Sequence, residues 1–461
     1  MPVSPASSMI VLSNRLPVLR TGRGRSSGWM TSPGGLVSAL TPILRKRSGT
    51  WIGWTGSPGP APEPFDHEGI HNHPIHLTKP EVEGFYEGFS NRALWPLYHD
   101  CIRIPEYHRR WWHPYLEVNR RFAEAAARTA APGAVIWVND YHLQLVPSML
   151  RGFRDDLRIG FFLHIPFPPQ ELFAQLPWRK QILKGLLAAD VVGFQTRVGA
   201  QNFGRLARRY AGASGRTGAL QYQGRTVMAR EFPVSVDAVE FEDLASSIGV
   251  IRRAEQFRAQ LRSRRLVLGV DRLDYTKGID LRLTAYRELL RSGRIDPKDT
   301  VLVQVAVPSR ERVDEYRQLR ARVEQLVGEI NGEFGDLGWT PVQYLHRSLS
   351  RPELVALYRA ADVLAVTPFR DGMNLVAKEY VATRVDDTGA LILSEFTGSA
   401  RELKAALLVN PYDIDGVADA MQRALNLSST EERRRMRALR RTVHGYTVYD
   451  WARSFLEALE R

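Results

Sequence analysis

The stretch Asp371–Glu379 places acidic and amide side chains around a glycine, between an apolar run and a helical pattern. The run 363–366 predicts a buried strand, and residues 375–383 predict a helix. Gly372 lets the turn approach a ligand closely, and the free N–H groups at a helix start attract phosphate. Glu379 is placed to accept hydrogen bonds from ribose hydroxyls. Taken alone, the stretch is equally compatible with an ordinary strand–loop–helix connection carrying solvated acids.

A second turn of this kind follows the apolar run 266–270 and contains Arg272 and Lys277. The two cations are five residues apart and span a strand end and a helix start, where they are suited to bind a diphosphate. Surface ion pairs with Asp271 and Asp274 are the alternative interpretation.

The first half of the chain offers weaker signals. Asp140 and His164 each follow a predicted strand, and open α/β sheets bind ligands at the carboxyl ends of their strands, so the pair indicates a shared cleft. Gly35 belongs to a glycine pair that opens a helix and permits close approach of a phosphate or sugar. Tyr86 and Trp95 lie in an aromatic segment that favours either core packing or a platform for a sugar.

Repeated strand–helix units in both halves predict an α/β fold with parallel sheets covered on both faces. A length of 461 residues predicts two or three domains. We expect an N-terminal domain at 1–235, a C-terminal domain at 236–445, and a final helix at 446–461 that crosses back to the first domain. The Gly/Arg/Ser-rich stretch 21–32 predicts a mobile loop, with no role that the sequence assigns.

Composition narrows the class of protein. The net charge of +13 suggests phosphorylated partners, although its arginines are scattered in a way typical of solvated helix faces, and no nucleic-acid-binding module is recognisable. The single cysteine, Cys101, fits a reducing cytoplasm, and no apolar run reaches the roughly 20 residues of a membrane span. Dinucleotide, P-loop and zinc-protease motifs are all missing. Two α/β domains that face each other across a cleft, with Arg, Lys and Gly turns at their strand ends, are typical of a nucleotide-sugar or dinucleotide enzyme.

Seven motifs, taken in order, resemble the trehalose-6-phosphate synthases, which are retaining glycosyltransferases with two Rossmann-like domains of the GT-B type. The motifs are Ser13-Asn14-Arg15, Pro33-Gly34-Gly35-Leu36, Ser90-Asn91 with Leu94-Trp95-Pro96, Asp140-Tyr141-His142, 161–168, 272–278 and 371–379. The resemblance covers nearly the whole chain. It implies transfer of glucose from a nucleoside-diphosphate-glucose to glucose 6-phosphate.

The resemblance also implies a role for each candidate residue. Arg272 and Lys277 would hold the donor diphosphate, Glu379 the ribose, and Asp371 the donor glucose. Gly35 would approach the donor phosphates, and His164 the 6-hydroxyl region of the glucose. The remaining donor contacts would come from Gly372, Met373, Asn374 and Leu375. The acceptor would contact Arg15, Tyr86, Trp95, Asp140 and Arg310, with the two arginines on its phosphate.

Further expectations concern the cofactors, the partners and the location of the protein. We expect no tightly bound cofactor and no metal ligand set, with the nucleotide sugar as co-substrate. The partners are expected to be small molecules, with no nucleic acid and no membrane. The enzyme is expected to be cytoplasmic, and a homo-oligomer is an open alternative. A related enzyme with another acceptor, such as glycerol 3-phosphate, and a catalytically silent sugar-phosphate sensor remain open, as does the donor base (UDP, GDP or ADP).

Overall fold

The computed structural model of the protein describes residues 6–21, 28–32, 35–262 and 264–461. The chain divides into two compact units, Met1–Pro233 with Tyr449–Arg461, and Val234–Val448. The predicted boundary after residue 235 lies two residues beyond this division.

The first unit is built on a ten-stranded sheet with the order β10-β11-β12-β9-β8-β7-β1-β4-β6-β5. The strands of the unit are β1 (Ser7–Arg15), β2 (Val18–Thr21), β3 (Gly28–Thr31), β4 (Thr50–Trp54), β5 (Phe65–His67), β6 (Ile70–Ile75), β7 (Ala130–Asn139), β8 (Arg158–Leu163), β9 (Val191–Phe194), β10 (Ser214–Arg216), β11 (Ala219–Tyr222) and β12 (Arg225–Glu231). The strands from β12 to β6 pair in parallel. The chain runs outward from β1 in one direction and from β7 in the other. The carboxyl ends of these two neighbours therefore form the topological switch point, where such sheets bind ligands.

Helices connect these strands. They are α1 (Gly35–Lys46), α2 (Lys79–Glu81), α3 (Trp95–Tyr98), α4 (Arg109–Thr129), α5 (Val146–Phe153), α6 (Gln170–Phe173), α7 (Arg179–Leu186) and α8 (Arg197–Ala211), with a π-helical stretch over Val82–Leu94 and a 3-10 turn over Tyr141–Leu143. Local chemistry sets the ends of α8: the Thr196 side chain accepts a hydrogen bond from the Gly199 N–H, and Gly212 ends the helix with a φ of 78°. The π-helical stretch is unusual and carries Tyr86, and such stretches occur frequently at functional sites.

The second unit has a six-stranded, fully parallel sheet with the order β15-β14-β13-β16-β17-β18. Its strands are β13 (Arg265–Arg272), β14 (Thr300–Val307), β15 (Val342–Leu345), β16 (Val363–Val366), β17 (Ala390–Ser394) and β18 (Leu407–Val409). Its helices are α9 (Ala238–Ser246), α10 (Ile248–Gln260), α11 (Ile279–Arg291), α12 (Asp314–Phe334), α13 (Arg351–Ala360), α14 (Leu375–Thr383), α15 (Ile414–Leu425) and α16 (Ser429–Gly445), with 3-10 turns over Tyr275–Lys277 and Ser399–Arg401. Here β13 and β16 are the neighbours at the switch point.

The last helix, α17 (Val448–Glu460), packs on the sheet of the first unit. Phe455 is fully buried, and its ring centroid lies 4.3 Å from that of Trp137 on β7. Gly160 on β8 makes room for it, because a Cβ atom there would meet the Phe455 ring at 2.8 Å. The aromatic residues of the final helix thus complete the core of the first unit.

The predicted α/β fold with parallel sheets is confirmed, although some elements differ from the sequence expectation. The loop prediction for 21–32 is wrong at its ends, because β2 and β3 pair there as an antiparallel hairpin; residues 22–27 lie outside the described residues. In the part of the chain that the structure describes, no helix is both long and apolar enough to cross a bilayer.

Candidate active site

The switch point of the second unit brings two distant stretches together. Arg272 ends β13, and the 3-10 turn that follows presents Lys277. The Lys277 Nζ atom lies 2.5 Å from Oδ2 of Asp371, in the turn after β16. The Phe369 N–H also donates to the Thr276 carbonyl at 2.8 Å. The cationic turn and the acidic turn are therefore joined through both side chains and backbone.

The turn between β16 and α14 is held by Asn374. Its side chain accepts a hydrogen bond from the Ala377 N–H at 3.1 Å and caps α14, while its Nδ2 atom donates to Asp371 Oδ2 at 3.1 Å. Asn374 has a φ of 79°. Gly372 and Met373 are buried beside it, and Leu375 begins the helix. The backbone N–H groups of a capped helix start thus lie at the same strand edge as Lys277, which suits an anionic ligand.

Glu379 lies one turn further along α14 and is partly buried. Burial raises the pKa of this carboxyl, while a hydrogen bond from the Tyr358 hydroxyl to Oε2, 3.1 Å long, acts in the opposite direction. The preceding residue, Lys378, is buried with its Nζ 2.6 Å from Glu402 and 2.9 Å from the Val234 carbonyl. Tyr358 was missed from the sequence, because a tyrosine on the apolar face of a helix is typical of a core.

Arg310, after β14, is held by a buried acid. Its Nη1 atom lies 3.1 Å from Oδ2 of Asp274, and its guanidinium also contacts the Tyr316 hydroxyl. Asp274 is fully buried. Burial acts to raise the pKa of Asp274, but the positive charges of Arg310 and Arg272 outweigh it and hold the pKa at about 2. Asp274 is therefore an ionised internal anchor and not a surface partner of the cationic turn.

In the first unit, Asp140 and His164 lie together at the ends of β7 and β8. The backbone N–H of His164 donates to Asp140 Oδ1 at 3.2 Å. The ring Nε2 atom of His164 lies 3.1 Å from Oδ1 of Asn139. Asn139 is itself buried and donates to the Leu12 carbonyl at 3.2 Å, which orients its amide. Burial lowers the pKa of His164 to about 3. The imidazole is thus neutral, with its proton on Nε2.

Arg15, at the end of β1, lies against aromatic rings. Its guanidinium carbon is 4.3 Å from the ring centroid of Trp54 and 5.6 Å from that of Tyr86. The Tyr86 ring stacks in turn on His142, with centroids 5.8 Å apart. Arg15 itself is exposed, so a charged, aromatic-backed surface lies at the β1 edge.

The two remaining first-unit candidates offer less. Trp95 is 3% exposed and packs against His99 and Tyr141, with ring centroids 4.1 and 5.6 Å away. Gly35 begins α1, whereas Pro33 and Gly34 of its motif lie outside the described residues. Trp95 thus belongs to the core beneath the site and exposes little surface to a sugar.

Three of the predicted site residues share an uncommon backbone conformation. Asp140, Arg310 and Asn374 have φ values of 73°, 48° and 79°. Non-glycine residues rarely adopt positive φ, and each such position costs on the order of 1–3 kcal/mol that the surrounding structure must offset. Seven other described non-glycine residues, outside the predicted site, also have a positive φ, so this backbone conformation does not by itself mark a ligand site.

Comparison with known proteins identifies the class first. The structure matches, with a TM-score of 0.91 and 33% identity, an E. coli protein bound with UDP-2-fluoro glucose, covering 98% of this chain and 99% of that one. A Burkholderia xenovorans α,α-trehalose-phosphate synthase (UDP-forming) in complex with glucose-6-phosphate matches with a TM-score of 0.90 and 35% identity, over 98% and 100% of the two chains. The fold is therefore that of the GT-B glycosyltransferases, as predicted.

The sequence comparisons give the family. The profile of glycosyltransferase family 20 matches residues 7–461. A Mycolicibacterium gilvum trehalose-6-phosphate synthase is 56% identical over 475 residues, covering 99% of this chain and 94% of the relative. The chain belongs to glycosyltransferase family 20, and the predicted glycosyltransferase class is confirmed.

Proposed function

We propose that the protein transfers glucose from a nucleoside-diphosphate-glucose to glucose 6-phosphate with retention, giving α,α-trehalose 6-phosphate. The observation that carries this proposal is the contact between Lys277 and Asp371. It joins the turn to which we assign the diphosphate and the turn to which we assign the sugar, at one edge of the sheet. The relatives support the substrates, because solved structures similar to this chain hold a UDP sugar in one case and glucose-6-phosphate in another.

The donor site acts by charge neutralisation. As the bond from the glucose anomeric carbon to the diphosphate breaks, the departing diphosphate gains negative charge. Arg272, Lys277 and the N–H groups that begin α14 are preorganised cations and dipoles at that position. Their interaction is strongest in the transition state, so they raise turnover more than they raise donor affinity.

Asp371 orients the donor glucose. Two donors, Lys277 Nζ and Asn374 Nδ2, converge on its Oδ2 atom and fix the carboxylate plane. A carboxylate restrained in this way is suited to bind sugar hydroxyls, together with the backbone of 372–374. Glu379 accepts the ribose hydroxyls, and Gly35 approaches the donor phosphates.

The acceptor contacts in this proposal are Arg15, Tyr86 and Asp140 of the first unit and Arg310 of the second. Trp95 is buried and is left with a supporting role in the core. His164 contacts the donor glucose and does so as a neutral hydrogen-bonding group, because its pKa lies far below the physiological range. Its proton is committed to Asn139, so the ring offers its Nδ1 atom as an acceptor. The single cysteine supports a reducing, cytoplasmic setting for this chemistry.

A donor-by-acceptor matrix tests the function. UDP-, GDP- and ADP-glucose are each combined with glucose 6-phosphate, glycerol 3-phosphate and glucose, and the products are identified by mass spectrometry. We expect one or two donors to support transfer to glucose 6-phosphate and glucose to be a very poor acceptor. Efficient transfer to glycerol 3-phosphate would overturn the proposal. A failure to transfer glucose to either phosphorylated acceptor would overturn it as well.

A further inference from the structure

An arginine outside every predicted site lies next to the two turns that contain Lys277 and Asp371. Arg282 is on α11 and is fully buried. Its position follows the apolar periodicity of the helix, with Ile279, Tyr286 and Leu289 on the same buried side. A charge in such a place is stable only when it is paired and its N–H groups are hydrogen-bonded.

The Arg282 guanidinium connects three strands of the sheet. Its Nη1 atom lies 2.6 Å from Oδ2 of Asp271, at the end of β13, and 2.9 Å from Oε1 of Gln304 on β14. Its Nε atom donates to the Thr367 hydroxyl, just after β16, at 3.0 Å. The rigid planar fork of a guanidinium can meet such divergent acceptors at once, whereas a lysine ammonium is a point donor.

The backbone is shaped around this network. A Cβ atom on Gly269 would meet Gln304 Oε1 at 2.3 Å and Arg282 Nη1 at 2.4 Å, so only glycine leaves space for the two side chains. Gly278 has a φ of 62°, and a Cβ atom there would meet the Thr367 carbonyl oxygen at 2.5 Å. The turn after β13 and the turn after β16 therefore approach each other closely at Thr367, the residue whose hydroxyl accepts from the guanidinium.

We propose that Arg282 is a positioning residue that holds the diphosphate-binding turn and the glucose-binding turn at the correct separation. It fixes Asp271 on one side and Thr367 on the other, and each is within a few residues of a group assigned to the donor. Lys277 and Asp371 then meet because their turns are already in place. The inference rests on the proposed function, since it acts through those two residues.

The test compares Arg282→Lys with Arg264→Lys. Arg264 is a matched control, because it is also buried in the second unit but donates to the carbonyls of Leu261, Pro297 and Thr340, at the start of β13. Misplacement of reacting groups by about 1 Å can cost ~10²-fold in rate. We expect Arg282→Lys to lower turnover by roughly 10- to 100-fold with a smaller change in the donor dissociation constant. Arg264→Lys should keep its turnover even if it melts at a lower temperature.

A double-mutant cycle separates positioning from a general loss of folding. If Arg282 acts through Lys277, Arg282→Lys should cost much less turnover in a Lys277→Ala background than in the wild type. Thr367→Val removes only the hydroxyl that accepts from Nε, and it provides the test if Arg282→Lys fails to fold. We expect it to lower turnover less than Arg282→Lys does.

Hydrogen exchange gives a readout besides activity. The Phe369 N–H, which donates to Thr276, should exchange faster than in the wild type in both Arg282→Lys and Thr367→Val. Its exchange rate should be unchanged in Arg264→Lys. The inference would be overturned if Arg282→Lys and Thr367→Val both kept the wild-type turnover and the wild-type exchange rate. It would also be overturned if Arg282→Lys lowered turnover by the same factor in the wild type and in Lys277→Ala. Failure of the proposed function would appear differently, as an absence of glucosyl transfer in the wild-type enzyme.

Discussion

The Nζ atom of Lys277 and the Oδ2 atom of Asp371 form an ion pair 2.5 Å long, with side chains only 12% and 17% exposed. The two residues are 94 positions apart in the chain. Their contact means that a change in one turn alters the charge balance of the other. Under the proposed function, the donor diphosphate would therefore meet a cation that is already oriented by the acid assigned to the sugar.

The first prediction concerns the donor diphosphate. Arg272→Ala and Lys277→Ala should each lower turnover by ~10²-fold or more, the scale of losing one preorganised charged donor, while donor affinity falls less. Steady-state kinetics and donor titration measure both quantities. Lys298→Ala, which removes an exposed lysine of the same unit, serves as the control. Near-wild-type turnover in both site variants would place the diphosphate elsewhere.

The second prediction concerns the stereochemical course. Because Asp371 is engaged by Lys277 and Asn374, it is expected to bind hydroxyls without attacking the anomeric carbon. Retention should thus proceed without a covalent glycosyl-enzyme, in contrast to the carboxylate pair of a retaining glycosidase. Intact-protein mass spectrometry with donor and a slow acceptor should show unmodified protein. A sugar-mass adduct on Asp371 or Asp140 would refute this.

The third prediction concerns the acceptor phosphate. Each charged hydrogen bond contributes ~1.5–3 kcal/mol, so Arg15→Ala should raise the acceptor KM roughly 10- to 100-fold and leave donor binding nearly unchanged. It should also narrow the preference for glucose 6-phosphate over glucose. Arg45→Ala, at an exposed ion pair with Glu68, is the matched control. An unchanged acceptor KM in Arg15→Ala would remove its assigned role.

Arg310 is expected to behave differently from Arg15. Its guanidinium pairs with the buried carboxylate of Asp274, so Arg310→Ala removes a partner of an internal charge as well as the proposed ligand of the acceptor phosphate. Breaking a buried ion pair on one side typically costs about 3–5 kcal/mol. We therefore expect Arg310→Ala to lower the thermal stability and the acceptor affinity together. A loss of acceptor affinity at unchanged stability would show that the buried charge of Asp274 does not depend on Arg310.

The fourth prediction concerns pH. The native His164 pKa is about 3, whereas that of an unfolded histidine is 6.5. Between these values the unfolded chain binds a proton that the native state does not, so acidification from pH 7 to 5 reduces the stability of the fold. His164→Gln should remove this contribution. By NMR, the ring resonance that disappears in His164→Gln should not titrate between pH 5 and 8, and an ordinary titration near 6.5 would contradict it.

Apolar runs made most strands predictable, and the failures have physical causes. β6 contains two histidines, an asparagine and a proline, and β12 has only three consecutive apolar residues, 227–229, between polar and charged ones. Neither has the continuous apolar pattern of a buried parallel strand. The hairpin of β2 and β3 was not predicted because each strand has only four residues and lies beside a segment rich in Gly, Arg and Ser, which resembles a loop.

Candidate site residues within a local motif could be selected from the sequence, whereas the residues that contact and hold them could not. Lys277 and Asp371 stand in recognisable turns. Arg282 and Tyr358 act through contacts between elements far apart in sequence, and an arginine on a helix is usually a solvated residue. The signal available was periodicity, because Arg282 falls on the apolar side of α11.

One measurement tests the central claim most directly. The enzyme is supplied with glucose 6-phosphate and a nucleoside-diphosphate-glucose labelled with 13C at the anomeric carbon, and the product is analysed by NMR. The account predicts a single disaccharide phosphate in which the labelled carbon is α-linked to the α-anomeric carbon of the acceptor. A β-linked label, a bond to another hydroxyl of the acceptor, or release of labelled glucose alone would contradict it.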